Sequence, residues 1–419
     1  MKRKIILPAA LLALTAAPAL AASEGDLIQR GEYLTRAADC AACHTVPGGK
    51  PFTGGLPFKL AIGTIYTPNI TPDKETGIGE YTDDEFVRAM QEGVGRGGKH
   101  LYPAFPYTAY TGMSRDDILA IKAYLFSLPP VRATPPENQV RFPFTQRWPL
   151  AIWNLLFNPD KRLAPDPAQS ADWNRGAYLV EAVAHCGECH TPRNLAQAKR
   201  ESQKFAGNEI EGWKAYNITP DPVHGIGNWS EAAVETYLAT GHADGHGAAG
   251  GPMGEAVSDS LRYLTQSDIH AIAVYLKSVP PIAGGVSAPA GATPAGLALA
   301  GGSAADGTNA QDNALGARIF AGACASCHLW TGQGRQSPYA ALAGSTAVND
   351  PEGTNLVQTV LWGAPADGPG NTASYMPAFA HGYTDTEIAA VANYVLTHFG
   401  GKTGTVTPDT VRQARSAAQ

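Results

Sequence analysis

Cys40-Ala41-Ala42-Cys43-His44 decides how this chain is read, because it returns as Cys186-Gly187-Glu188-Cys189-His190 and as Cys324-Ala325-Ser326-Cys327-His328. The three copies hold all six cysteines. A disulfide framework gives no reason for a histidine after every second cysteine. With 11 His in 419 residues, chance placement in all three copies has a probability of roughly two in 100,000. Zinc would need a fourth ligand per site, and no matching trio of spare Cys or His follows at finger-like spacing. C-x-x-C-H is the attachment signature of c-type haem. Cysteines at i and i+3 share one helical face and reach two vinyl groups on one porphyrin edge. The reading is therefore three covalently bound c-type haems, held by Cys40 and Cys43, Cys186 and Cys189, and Cys324 and Cys327. His44, His190 and His328 are the proximal iron ligands.

Working outward, each motif sits in a repeated unit, with first cysteines 146 and 138 residues apart. Arg30-Gly31-Glu32-Tyr33-Leu34 opens the first unit, Arg175-Gly176-Ala177-Tyr178-Leu179 the second, and a looser Gly316-Ala317-Arg318-Ile319-Phe320 the third. Asn69-Ile70-Thr71-Pro72-Asp73 and Gly77-Ile78-Gly79 follow the first motif; Asn217-Ile218-Thr219-Pro220-Asp221 and Gly225-Ile226-Gly227 follow the second. Each unit closes on a periodic helix: Arg115 to Leu125, Gln266 to Leu276, and Thr384 to Leu396. The expected fold is mainly α, three small helical cytochrome c domains in tandem. They span residues 23–130, 169–282 and 314–400. A Pro- and aromatic-rich strap (131–168) joins the first two, a flexible Ala/Gly-rich linker (283–313) leads to the third, and 401–419 is a tail. The strap's apolar piece, Trp148 to Phe157, is too short to span a bilayer. Packing between domains is its expected role, with membrane or partner contact the alternative.

Lys2, Arg3 and Lys4, the apolar stretch to Leu20 and the small residues Ala19 and Ala21 read as a signal peptide over 1–22. No other segment approaches the ~20 apolar residues of a transmembrane helix, so membrane contact is expected to be peripheral. The net charge of −6 carries no basic excess, which argues against nucleic acid as a partner. No dinucleotide fingerprint, nucleophile elbow or carboxylate cluster appears, so no organic-substrate site is expected. His242 and His246, in a glycine loop, could be read as a metal pair, but a solvated or propionate-facing role is expected.

Methionine is a common second axial ligand in cytochromes c and raises the potential relative to a second histidine. Met253, in Gly250-Gly251-Pro252-Met253-Gly254, and Met376, in Ser374-Tyr375-Met376-Pro377, lie in matching loops before the last helix of their units. They are the expected distal ligands of haems 2 and 3. The first unit departs: its loop, Leu101-Tyr102-Pro103-Ala104-Phe105-Pro106-Tyr107, carries Phe105 instead. Met90 reads as a buried helix residue and Met113 as a packing residue at the entry to a helix. The distal side of haem 1 is then open, water-bound or filled by His100, the only nearby imidazole, carried on a loop softened by Gly97 and Gly98.

Taken together, the three motifs, the repeated N-I-T-P-D and G-I-G segments and the L-Y-P-A-x-P-Y loop resemble the triheme cytochrome c subunit of bacterial membrane-bound dehydrogenases acting on alcohol, gluconate, sorbitol, fructose or aldehyde. The resemblance covers essentially the whole chain after the signal peptide. It implies a subunit that takes electrons from a dehydrogenase catalytic subunit and passes them to ubiquinone on the periplasmic side of the inner membrane. The family usually has Met in the loop that holds Phe105. Three haem centres on one chain support a relay independently. A peroxidase-type haem enzyme acting at an open haem 1 is the alternative.

Overall fold

The computed structural model describes residues 23–287, 310–335, 337–364 and 376–417. Residues 1–22, read as a signal peptide, and residues 288–309 of the linker lie outside the described residues. The chain is mainly α, and its first two units follow one plan. Unit 1 runs from α1 (Glu24–Ala37) and the short motif helix α2 (Cys40–His44) to a hairpin of β1 (Pro57–Leu60) and β2 (Gly63–Tyr66). Then come α3 (Asp83–Glu92), α4 (Tyr107–Tyr110) and the closing helix α5 (Arg115–Ser127). The strap contributes β3 (Gln139–Val140), which pairs antiparallel with β2, and helix α6 (Pro149–Phe157). Unit 2 comprises α7 (Ala171–Tyr178), α8 (Gly187–His190), the hairpin β4 (Asn208–Ile210) and β5 (Trp213–Ala215), α9 (Glu231–Thr240), α10 (Gly251–Glu255) and α11 (Gln266–Ser278). Unit 3 has α12 (Ala310–Ile319), α13 (Ala325–His328), α14 (Thr346–Asn349), α15 (Thr354–Trp362) and α16 (Asp385–Gly400). A last helix, α17 (Pro408–Ala417), lies in the segment read as a tail; it docks on α16 through the fully buried Val411 and an Arg415–Asp385 ion pair.

The glycine in each opening motif has one physical cause. The first helix of a unit crosses its last helix so closely that a Cβ on Gly31 would lie 1.9 Å from the Ala120 carbonyl oxygen. On Gly176 it would lie 1.9 Å from Ala271 O, and on Gly316 2.3 Å from Ala390 O. Only a residue without a side chain admits that approach. At the same crossings Arg30 pairs with Asp117 and Arg175 with Asp268, both at 2.6 Å.

The N-I-T-P-D segments staple the chain just after the last helix back onto its unit. Buried Asn69 donates to Val131 O and accepts from the Thr71 amide; buried Asn217 donates to Ile282 O and accepts from the Thr219 amide. In this way four backbone groups away from helices and strands are satisfied.

Units 1 and 2 share one hydrophobic core, running through Leu34, Ile118, Leu179 and Ile269. Unit 3 has its own core around Phe320, Leu361 and Leu396. It docks on the β4–β5 hairpin of unit 2, where Lys214 meets Asp350 at 2.8 Å with both side chains buried. Asn355 exchanges two hydrogen bonds with the Lys214 backbone at the same contact.

The strap lies along unit 1: Asn158 donates to Gln91 O, and the Leu163 amide to Gly112 O. Its apolar helix departs from expectation. No residue of α6 is buried, because the helix is held to the protein by its few polar groups rather than by its aliphatic ones.

Candidate functional site

Each C-x-x-C-H motif forms a short helix that ends on its histidine. The histidine is then fixed in the same way three times. Nδ1 of His44 lies 2.8 Å from Pro68 O, that of His190 2.6 Å from Tyr216 O, and that of His328 2.7 Å from Ala340 O. A carbonyl oxygen only accepts, so Nδ1 must carry the proton and Nε2 keeps its lone pair for a metal. Burial lowers the pKa of all three imidazoles and holds them neutral, as ligation requires. No two of the six cysteines are joined in a disulfide. Burial pushes Cys40, Cys43 and Cys186 up to about 12, and Cys189 and Cys324 up to about 11.

In unit 3 the parts converge on one cavity of about 650 Å³, within the range of ligand pockets. Cys324, Cys327, His328 and Met376 all line it, with apolar walls from Phe320, Val391 and Val395. Two thiols, an imidazole with a free Nε2 and a thioether around one apolar cavity fit a covalently held haem. Unit 2 supplies part of the wall through Trp213, Gly250, Gly251 and Glu255. Met253, expected in a loop, lies instead in the short helix α10, whose Gly251, Gly254 and Glu255 border the unit 3 cavity, while Met253 itself is half-buried against the core of units 1 and 2.

The first two motifs also approach one another. The Cys43 thiol, raised mainly by burial, also feels Cys189 across the unit boundary. Ser260 and His185 of unit 2 bond to the carbonyls of Ala37 and Ala38, just ahead of Cys40.

Unit 1 offers a different distal loop. Phe105 is half-buried and packs against Tyr110 and Tyr107, with ring centroids 5.5 and 6.4 Å away. Met90 and Met113 are buried in the core, and the Met113 carbonyl accepts from Gln91. His100 closes a tight turn in which Gly97 and Gly98 have φ of 71° and 78°. Its carbonyl accepts from Arg147, and its buried Nδ1 has no hydrogen-bond partner among the described residues.

His242 and His246 do not form a metal pair. His242 is buried against the Tyr339 ring of unit 3, and His246 stacks on Trp229 at 3.8 Å. Among the described residues no three His, Cys, Asp or Glu side chains converge as a cation site. The backbone acceptors of the three histidines escaped the sequence reading. Pro68 and Tyr216 could have been found, since each immediately precedes an Asn-Ile-Thr repeat, but nothing in the sequence marks Ala340.

Helical units with these motifs and pre-oriented histidines define a c-type cytochrome, a class built to hold haem covalently. The cytochrome c family model matches residues 28–129 and 313–399, and the structure gives the segment between them the same plan as unit 1. The chain is 40% identical to the fructose dehydrogenase cytochrome subunit of Gluconobacter japonicus, covering 96% of this chain and 85% of the relative. It is 38% identical to the gluconate 2-dehydrogenase cytochrome c subunit of Pantoea cypripedii (93% and 89% covered). It is 36% identical to the cytochrome c subunit of the quinone-type alcohol dehydrogenase of Gluconacetobacter polyoxogenes (98% and 90%). The chain belongs to the family of cytochrome c subunits of dehydrogenases.

Proposed function

We propose that this chain is the electron-relaying subunit of a membrane-associated dehydrogenase, accepting electrons from a catalytic subunit and delivering them to ubiquinone on the periplasmic face of the inner membrane. Three covalent haems are assigned, to Cys40/Cys43 with His44, Cys186/Cys189 with His190, and Cys324/Cys327 with His328. Haem iron supplies the one-electron chemistry. The observation that carries the reading is the threefold repetition of a histidine whose Nδ1 is tied to a carbonyl, in a chain whose relatives are dehydrogenase subunits. Those relatives leave the peroxidase alternative without support.

The residues divide the labour. Met253 and Met376 are assigned as distal ligands in units 2 and 3, Met376 because it shares a cavity with His328. Unit 1 has no methionine to offer, since Met90 and Met113 are locked in the core and the loop presents Phe105. His100 is the one imidazole of that loop. Glycines at the helix crossings and the shared core of units 1 and 2 fix how the motifs sit relative to each other.

Two measurements test the reading. The intact mass of the denatured protein is expected to exceed the processed polypeptide by three haems, and a deficit of one refutes the assignment. The purified chain, offered alcohols, aldehydes or sugars, is expected to stay oxidised until the dehydrogenase with which it copurifies is added. Reduction by substrate alone overturns the relay.

A further inference from the structure

Helix α6, Pro149-Leu-Ala-Ile-Trp-Asn-Leu-Leu-Phe157, is built inside out for a soluble protein. Its one hydrophilic side chain faces inward: Asn154 donates to Glu92 O and accepts from the Tyr107 hydroxyl. Trp153 is likewise tied down, through its indole N–H to Ala196 O of unit 2. The aliphatic side chains point out. Trp148, Ile152, Leu155 and Leu156 are 67%, 53%, 82% and 68% exposed, and their spacing of i, i+4, i+7 and i+8 puts them on one helical face. The loop just before the helix adds Phe142 and Phe144, 80% and 50% exposed. The Tyr102 hydroxyl bonds to the Phe144 carbonyl, and Arg147 lies over the Tyr102 ring. Scattered apolar residues on a surface need no explanation, but a continuous row on an anchored helix marks an interaction face.

Charge selects the occupant. Residues 141–157 carry Arg141 and Arg147 and no carboxylate, and the segment beyond adds Lys161 and Arg162 against a single Asp160, which pairs with Arg162, in a chain that is acidic overall. Large apolar side chains with a tryptophan among them, flanked by cations and too short to span a bilayer, suit a helix lying in the plane of an anionic lipid surface. We infer that the outer face of α6, with Phe142 and Phe144, docks this protein on the phospholipid bilayer. The inference deepens the proposed function and rests on its placement at the membrane. Because α6 is fastened to Tyr107, and the preceding loop to Tyr102, the segment it covers is the one that bears Phe105. Unit 1 is then the unit held closest to the lipid.

The test is cosedimentation of the haem-loaded protein with phosphatidylglycerol-containing vesicles, compared with pure phosphatidylcholine vesicles. The wild type is expected to partition onto the anionic vesicles. The double variant Leu155→Glu/Leu156→Glu is expected to lose at least about tenfold in partition while keeping its haem spectrum, since neither leucine is buried. Val223→Glu, at a 62% exposed position in the loop after Asp221 of unit 2, is expected to bind as the wild type does. Undiminished binding by the double variant, or no vesicle binding by the wild type, overturns the inference. So does a double variant that still binds vesicles but no longer copurifies with its dehydrogenase, which would make the face a protein contact. Electron exchange with detergent-dispersed ubiquinone separates the two readings. If the wild type fails there yet binds vesicles through α6, the quinone reading falls and the docking face stands.

Discussion

Tyr33 of unit 1 donates its hydroxyl to Asp268 of unit 2 at 2.5 Å, and Tyr178 of unit 2 returns the same bond to Asp117 of unit 1, also at 2.5 Å. The reciprocity extends to the backbone: the Thr265 amide donates to the Tyr33 hydroxyl and the Ser114 amide to that of Tyr178, each at 3.1 Å. Each aspartate is also held by the arginine of its own unit.

Because the two tyrosines are equivalent, Tyr33→Phe and Tyr178→Phe are expected to destabilise the protein by similar amounts, about 1.5–3 kcal/mol each for a hydrogen bond to a charged acceptor. Denaturant unfolding of the haem-loaded protein measures this. A loss confined to one variant would contradict the equivalence.

Acid should loosen the same contact. Burial opposes the charge on Asp268, but hydrogen bonds from Arg175 and Tyr33 outweigh it and hold the carboxyl below its ordinary value of 3.8. A carboxylate depressed in the folded state contributes stability that is complete above its unfolded pKa and is lost as pH falls through the folded one. The contribution is therefore expected to be intact at neutral pH and to drain away below about pH 4. Asp268→Asn should lower stability at pH 7 and flatten the acid limb of the stability profile. An unchanged acid limb would assign that sensitivity to other groups.

The helix crossings give a sharper contrast. Gly31→Ala and Gly176→Ala force a methyl group against a backbone carbonyl and are expected to cost about 1–3 kcal/mol or more. Gly25→Ala, in the first turn of α1 where the nearest atom is Ser23 Oγ at 3.7 Å, is expected to gain about 0.5 kcal/mol from helix propensity. Thermal midpoints of the three variants should fall on opposite sides of the wild type.

The distal assignments make a spectroscopic prediction. The oxidised protein is expected to show two haems' worth of methionine-to-iron charge-transfer absorbance, falling to one in Met253→Ala or Met376→Ala and rising towards three in Phe105→Met. Three haems' worth in the native protein would end the reading of unit 1. His100→Ala then decides whether that imidazole reaches the iron, because its loss would convert a low-spin centre into one that binds carbon monoxide when reduced.

Much of this architecture was legible from local pattern. The motif helices and the closing helices are short-range signals, whereas the loop expected around Met253 is the short helix α10, unlike the extended segment at Met376. Met90 and Met113 were readable as core because Met90 falls on the inner face of a helix and Met113 at the entry to the closing helix of unit 1. What escaped depends on contacts between distant segments. Nothing in the sequence says that Tyr33 reaches Asp268, 235 residues away, or that units 1 and 2 merge their cores. The solvated role expected of His242 fails because it is buried against Tyr339, a partner outside its loop, and His246 likewise stacks on Trp229. For α6, hydropathy suggested burial between domains. The anchoring by Asn154 and Trp153 turns the apolar side outward instead, and composition alone does not encode that choice.

The reciprocal tyrosine–aspartate contact has the form of a twofold homodimer interface carried within a single polypeptide. A true dimer of this kind separates on dilution. Here the strap makes the pairing intramolecular, with one half presented to the other at an effective concentration on the order of millimolar, whatever the protein concentration. The neighbourhood of Cys43 and Cys189 is thus fixed by covalent connectivity, and dilution of the protein leaves the first two motifs adjacent.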